Sequence, residues 1–442
     1  MIHIEHLENT VKKSQCDDYE IYLRAVEATS FEVKDQQLEC FTTSQSWGVS
    51  LRILKDGRLG FSYATQCTAD ALEQVVSIAV SSARYASPDE CNGFPQPPPL
   101  LPQAMGFDSS LPSIPVEEKI EMLKGIEHEA RSFDKRISRV RKASYQEQRA
   151  SEQLITSRGT RLKDEDTLIT CALAVVAEDK GDSQSGWDFT FSRFYAGLQT
   201  SSLAASAASK AIALLGARPI PSFRGPVILD RCVAQQFLGI LAHSFLADAV
   251  QKNRSLFNGK MNSAVCSDQV NITDDGLYPG GMASRIFDGE GVSSQTTPLI
   301  ENGVLNNYLY DTHCARKDRT KSTGNSSRPS LKTPPRIGST NLYLHNGECT
   351  LAGMIGKLSR GLLITGVLGM HTANPISGDF SLGVDGLLIQ NGATTAPVKG
   401  MALAGNIMSL YSDIVCIGND LRFYGTVGSP SILVAEMDIC GN

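Results

Sequence analysis

The segment that most limits what this chain can fold into is residues 225–250, GPVILDRCVAQQFLGILAHSFLADAV. Gly225-Pro226 opens a short apolar run, Val227-Ile228-Leu229, that reads as a buried strand. Asp230 follows with a side-chain acceptor of the kind that caps a helix, and no proline interrupts residues 231–250. Val233, Phe237, Leu241 and Phe245 recur every four residues, which predicts one continuous helix with a single apolar stripe facing a core. His243 lies off that stripe, in the string His243-Ser244-Phe245-Leu246-Ala247-Asp248.

The rest of the chain predicts sheet and helix in alternation. Residues 1–14 suit a short helix with Ile4, Leu7 and Val11 on one side. From Tyr19 the period changes to two, through Glu20-Ile21-Tyr22-Leu23, Phe31-Glu32-Val33 and residues 47–54. Lys55-Asp56-Gly57 is a hairpin signal, and Gly60-Phe61-Ser62-Tyr63 is the returning strand. Thr68 caps a helix expected to reach Tyr85, with Leu72, Val75, Val76, Ile78 and Ala79 inward. Six prolines between Pro97 and Pro115 mark residues 95–115 as an extended linker. A second helix is expected over 116–133, an antiparallel meander over 140–195, and an Ala-rich helix over 203–215 that Arg218-Pro219 ends. Past the central helix come short strands, with tight turns at Asn302-Gly303 and Asn391-Gly392. The fold class is α+β: an N-terminal sheet-and-helix region, then a C-terminal domain with one central helix and many, mostly antiparallel, strands. The expected divisions are 1–94, the linker 95–115, a helix-plus-meander unit 116–217, and 218–442.

Bulk properties narrow the function. The formal net charge is -6, so no global positive field invites a polyanion. Lys317, Arg319, Lys321, Arg328, Lys332 and Arg336 concentrate in residues 316–336, but no aromatics alternate with them for base stacking. That stretch reads as a solvated, flexible loop, and no nucleic-acid partner is expected. The 11 cysteines are scattered without a CxxC, which fits reduced thiols better than a disulfide framework. No basic leader and no membrane-length apolar run stands out, so a cytoplasmic location without membrane contact is expected.

The chemistry of residues 243–248 is that of an incomplete metal site. A helical zinc-hydrolase motif needs two imidazoles on one ion and a Glu that takes a proton from the bound water. Ser244 stands where the Glu would be and cannot act as that base. On a regular helix Asp248 is turned roughly 140° from His243, too far to share an ion.

The chain resembles the TldD/PmbA family of bacterial peptidases, and within it the PmbA (TldE) branch. The likeness is carried by Leu51-Arg52 with Lys55-Asp56-Gly57-Arg58-Leu59-Gly60, by Gly225-Pro226-Val227-Ile228-Leu229-Asp230, and by an ordered C-terminal set. That set is Ile376-Ser377-Gly378-Asp379-Phe380-Ser381, Ile389-Gln390-Asn391-Gly392, Pro397-Val398-Lys399-Gly400 and Ala404-Gly405-Asn406. The resemblance implies that catalytic members carry HExxxH on the equivalent helix and a Cys ligand near the C-terminus. Here His243 matches the first His, Ser244 replaces the Glu, Asp248 replaces the second His, and Thr426-Val427-Gly428-Ser429 holds no Cys. No metal is therefore expected on this chain. The expected role is a non-catalytic subunit, with zinc in a TldD-like partner and an unfolded peptide as substrate; a homodimer is one arrangement open to the isolated chain.

The Gly-rich stretch 361–383 holds His371, Gly378 and Asp379, candidates for a peptide-binding edge that pairs main chain to main chain. Two other readings stand beside the subunit role. One is an autonomous metal-dependent peptidase using His243 with ligands from elsewhere. The other is a regulatory module acting on DNA gyrase, which the family's older label implies.

Overall fold

The computed structural model describes residues 4–66, 68–103 and 106–441. The N-terminal region runs α1 (Ile4–Lys13), β1 (Asp18–Lys34), β2 (Gln37–Lys55), β3 (Arg58–Ala64), α2 (Ala69–Tyr85) and α3 (Val116–Phe133). It continues through β4 (Ile137–Thr156), β5 (Arg161–Asp179), β6 (Asp182–Ser192) and α4 (Leu203–Ala213). All six strands form one antiparallel sheet in the order β3-β2-β1-β4-β5-β6. The segments expected as 1–94 and 116–217 thus meet in a single sheet, where β1 pairs with β4 from Glu20 to Val33.

Side-chain alternation decides what that sheet covers. Ile21, Leu23 and Phe31 share one face and are buried, the first two beneath α1 and α2, the last beneath α3 and α4. Glu20, Tyr22 and Arg24 face the other way, toward the C-terminal half, where Tyr22 packs with Ile286 and Phe287. Thr68 caps α2 as expected, its hydroxyl accepting from the Ala71 amide at 3.3 Å. Ile78 is not inward: it is 54% exposed, because it lies two residues, roughly 200°, around the helix from buried Val76.

The C-terminal half begins with β7 (Phe223–Leu229), α5 (Arg231–Leu241), α6 (Ala247–Gln251), β8 (Ile272–Asp275), β9 (Thr296–Glu301) and β10 (Val304–Leu305). Then come α7 (Thr312–Lys317), β11 (Ser326–Ser327), β12 (Arg336–Ile337), β13 (Asn341–Leu344), α8 (Leu351–Gly356) and β14 (Arg360–Leu368). It ends with β15 (Asp379–Gln390), β16 (Ala393–Asn406), α9 (Ile407–Ser412), β17 (Ile414–Ile417), β18 (Arg422–Tyr424), β19 (Val427–Ser429) and β20 (Ile432–Cys440). One sheet runs β16-β15-β14-β7-β20-β17, and a further β16–β20 pairing closes its first five strands into a ring. The other runs β10-β9-β8-β13-β19-β18. Pairing is mostly antiparallel, with β14 beside β7 and β13 beside β19 as parallel exceptions. Helix α5 lies between the two sheets, with Val233, Phe237 and Leu241 in one core with Leu229, Leu362 and Leu342. The fold class is α+β.

Three sequence expectations change here. The central helix is not continuous: α5 ends at Leu241, a 3₁₀ turn spans Ala242–Phe245, and Leu246 is extended (φ -75°, ψ 123°) before α6. A distant segment causes the break. The Ala247 amide donates to the Leu309 carbonyl at 3.0 Å, and the Leu309 amide to the Phe245 carbonyl at 2.8 Å, so strand-like pairing displaces helical bonds. The basic stretch is not simply a solvated loop. Arg316 donates to the Asn92 and Phe94 carbonyls at 2.9 and 3.0 Å, and the Arg328 side chain is only 3% exposed. Finally, Cys349 and Cys416 form a disulfide, brought together as the Cys349 backbone bridges to Gly418.

Candidate functional site

The residues of the incomplete motif do not converge. His243 is half-buried in the 3₁₀ turn, and its ring makes no hydrogen bond or ion pair among the described residues. Ser244 is fully buried, and its hydroxyl has no partner among the described residues. Beyond the extended Leu246, Asp248 lines a different cavity, with Glu290, Asp311 and His313, whose walls do not include His243. One Asp248 oxygen is paired with Lys252 Nζ at 3.0 Å, and the other is buried without a partner among the described residues. Strand β19, which holds the Thr426–Ser429 segment's buried Gly428 and Ser429, packs against α5. This donor set does not fit a zinc ion. It offers one imidazole, a buried hydroxyl, and a carboxylate aimed elsewhere with a cation already on it, whereas zinc needs three converging ligands. Among the described residues no group of three His, Cys, Asp or Glu side chains is placed to hold a metal.

His371, Gly378 and Asp379 lie together at the turn between β14 and β15. His371 is exposed in a 3₁₀ turn, and Gly378 takes φ +80°. Asp379 accepts from Asn406 Nδ2 at 2.8 Å, and the hydrogen bonds from Asn406 and Ser377 hold its carboxyl below the usual range. Asn406 also donates to the Ser377 carbonyl at 2.9 Å, so this network fixes the turn. None of the three residues lines the cavity between the two halves.

That cavity, of about 290 Å³, is the feature that reading the sequence missed. Its N-terminal wall is Tyr22, Arg24, Glu152, Asp164 and Asp166; its C-terminal wall includes Arg285, Asp288, Arg328 and Thr426. Beside it, a buried charge network joins the halves. Arg52 donates to both oxygens of Glu20, at 2.9 and 2.5 Å, and to Glu290 at 3.0 Å. Arg328 pairs with Glu20 and donates to the Gly289 carbonyl at 2.6 Å. Burial alone would raise the Glu20 pKa, but the guanidiniums of Arg328 and Arg52 hold it below the ordinary value. Asp288 goes the other way: burial, with Glu290 nearby, pushes it up to about 6. A signal for the network existed in the sequence, since Glu20 and Arg52 are single charges inside apolar runs on paired strands.

The fold and the motif position define the class. The sequence pattern of the PmbA/TldA metallopeptidase domain 1 matches residues 19–83, the central domain 109–215, and the C-terminal domain 222–441. The chain belongs to the TldD/PmbA family. Particular relatives agree. It is 26% identical to the metalloprotease PmbA of Escherichia coli O157:H7, covering 96% of this chain and 92% of that one. It is 27% identical to the metalloprotease TldD homolog of Haemophilus influenzae, covering 96% and 93%. Its fold matches a Thermotoga maritima protein described as a candidate modulator of a DNA gyrase (TM-score 0.90, 26% identity, 99% and 100% covered). It also matches TldE from Thermococcus kodakarensis (TM-score 0.89, 23% identity, 99% and 100% covered), a likeness of fold. Among the described residues no helix is long and apolar enough to cross a membrane.

Proposed function

We propose that this chain is the non-catalytic subunit of a cytoplasmic two-subunit zinc metallopeptidase that acts on unfolded peptides, with zinc held by a TldD-like partner. One observation carries the reading: at the helix break, His243 stands alone while Asp248 is turned into another cavity and matched by Lys252. A family member so placed contributes surface and enclosure, not the metal-activated water. Names of relatives support the peptidase setting, since PmbA and TldD homologues are called metalloproteases.

Size-exclusion chromatography with a zinc-bearing TldD homologue tests this. Co-elution as one complex is expected, with peptide cleavage that depends on the partner's zinc and is barely changed by His243→Ala in this chain. Two species that elute separately at micromolar concentration, or stoichiometric zinc and turnover in this chain alone, would sink it.

A further inference from the structure

The cavity between the halves holds eight charged side chains: five pair with an opposite charge, and a sixth, Asp288, is met by three backbone amides. Arg24 pairs with Glu152 at 3.3 Å and Arg193 with Asp166 at 2.8 Å, while Arg328 is committed to Glu20. Asp288 accepts from the amides of Glu290, Val292 and Ser326 at 2.8, 2.9 and 3.0 Å. Two groups remain. Asp164 accepts from backbone amides only, those of Glu165 and Ile286, and has no cation partner among the described residues. Among the described residues the Arg285 side chain donates only to the Gly324 carbonyl, at 3.3 Å, and its buried Nε has no partner. Charges left without a direct partner at a semi-enclosed site are costly to keep, and in a cleft they make a candidate binding site.

Their opposite signs select the ligand. An anion alone would answer Arg285 but crowd Asp164, Asp166 and Asp288. A simple amine would answer Asp164 but leave Arg285, whose charge acts on the buried Asp288 and Asp274 without a direct ion pair to either, with no acid in contact among the described residues. We propose that this cavity binds a small zwitterion, a free amino acid or dipeptide, with its ammonium on Asp164 and its carboxylate on Arg285. The hydroxyls of Ser327, Ser339 and Thr426 line the same space and supply further hydrogen bonds. The volume sits at the low end of ligand pockets, which range over roughly 300–1,000 Å³, so a short molecule fits and a folded partner does not. The site belongs to this chain alone and stands apart from the subunit reading.

Calorimetry on the full chain with L-alanyl-L-alanine, its N-acetyl form and its C-terminal amide tests the assignment. The dipeptide is expected to bind saturably, and blocking either end to weaken binding about tenfold or more. Asp164→Asn should abolish the preference for the free amine over the N-acetyl form while leaving the preference for the free carboxylate. Arg285→Gln should do the converse. No saturable heat at millimolar dipeptide, or equal binding of the blocked and free forms to the unaltered chain, overturns it. A preference for the free amine that survives Asp164→Asn overturns it as well.

Discussion

Two polar clusters in this molecule have opposite fates. At the seam between the halves, Glu20, Arg52, Glu290 and Arg328 are buried and their charges are matched within hydrogen-bonding distance. At the break after α5, the Ser244 hydroxyl and one oxygen of Asp248 are buried with no partner among the described residues. The first arrangement is what a fold keeps when polar groups hold it together; the second adds nothing to that hold. Burial alone therefore does not say which buried polar groups hold the fold together, and saturation does.

Substitutions can break or sharpen that contrast. The largest effect is expected for Arg52→Leu, which strips Glu20 and Glu290 of their shared cation. Removing one partner from a buried pair costs about 3–5 kcal/mol, so urea unfolding should show a loss of that order. A loss under about 1 kcal/mol would mean water reaches the seam and the network is ornamental. Next comes Asp288. Its folded pKa, about 6, lies above the ~3.9 of an unfolded Asp, so the native state binds this proton more tightly. That contribution is fully present below pH ~4 and is lost as pH rises through about 6. Asp288→Asn should accordingly compare better with the parent at pH 7 than at pH 4, by about 1–2 kcal/mol in denaturant titrations. A pH-independent difference would refute the raised pKa.

At the other cluster the effects should be small. Ser244→Ala removes an unpaired hydroxyl and should change stability by less than about 0.5 kcal/mol, or raise it, as read by the unfolding midpoint. A loss above about 2 kcal/mol would reveal a hidden partner and collapse the distinction. Smallest of all is the zinc content of the double variant Ser244→Glu, Asp248→His. Leu246 turns the chain out of the helix between the two sites, and β19 offers no Cys, so less than stoichiometric metal is expected by elemental analysis. A full equivalent of zinc would show that the helix re-forms on demand.

Much of the fold was legible because local periodicity dictates it. The period of two from Tyr19 and the capped run after Thr68 both became the elements they predict. Residues 116–133 likewise emerged as α3, and Asn302-Gly303 as a turn with both φ values positive. What could not be read depends on remote partners. The break at Leu246 exists because Leu309 pairs there, and nothing in the local string announces it. Arg316 and Arg328 read as a solvated run because their acceptors, Asn92, Phe94 and Glu20, lie far away in sequence. The missing Glu and second His were plain in the residues themselves; that Asp248 faces another cavity required the bend.

The arginines that grip across the seam also fix the spacing of the two halves. Each half contributes charge to the contact, so the halves cannot swing apart as rigid bodies without undoing the Arg52–Glu290, Arg328–Glu20 and Arg422–Asp188 pairs together. The space beside them is therefore walled by elements of both halves whose spacing those contacts set.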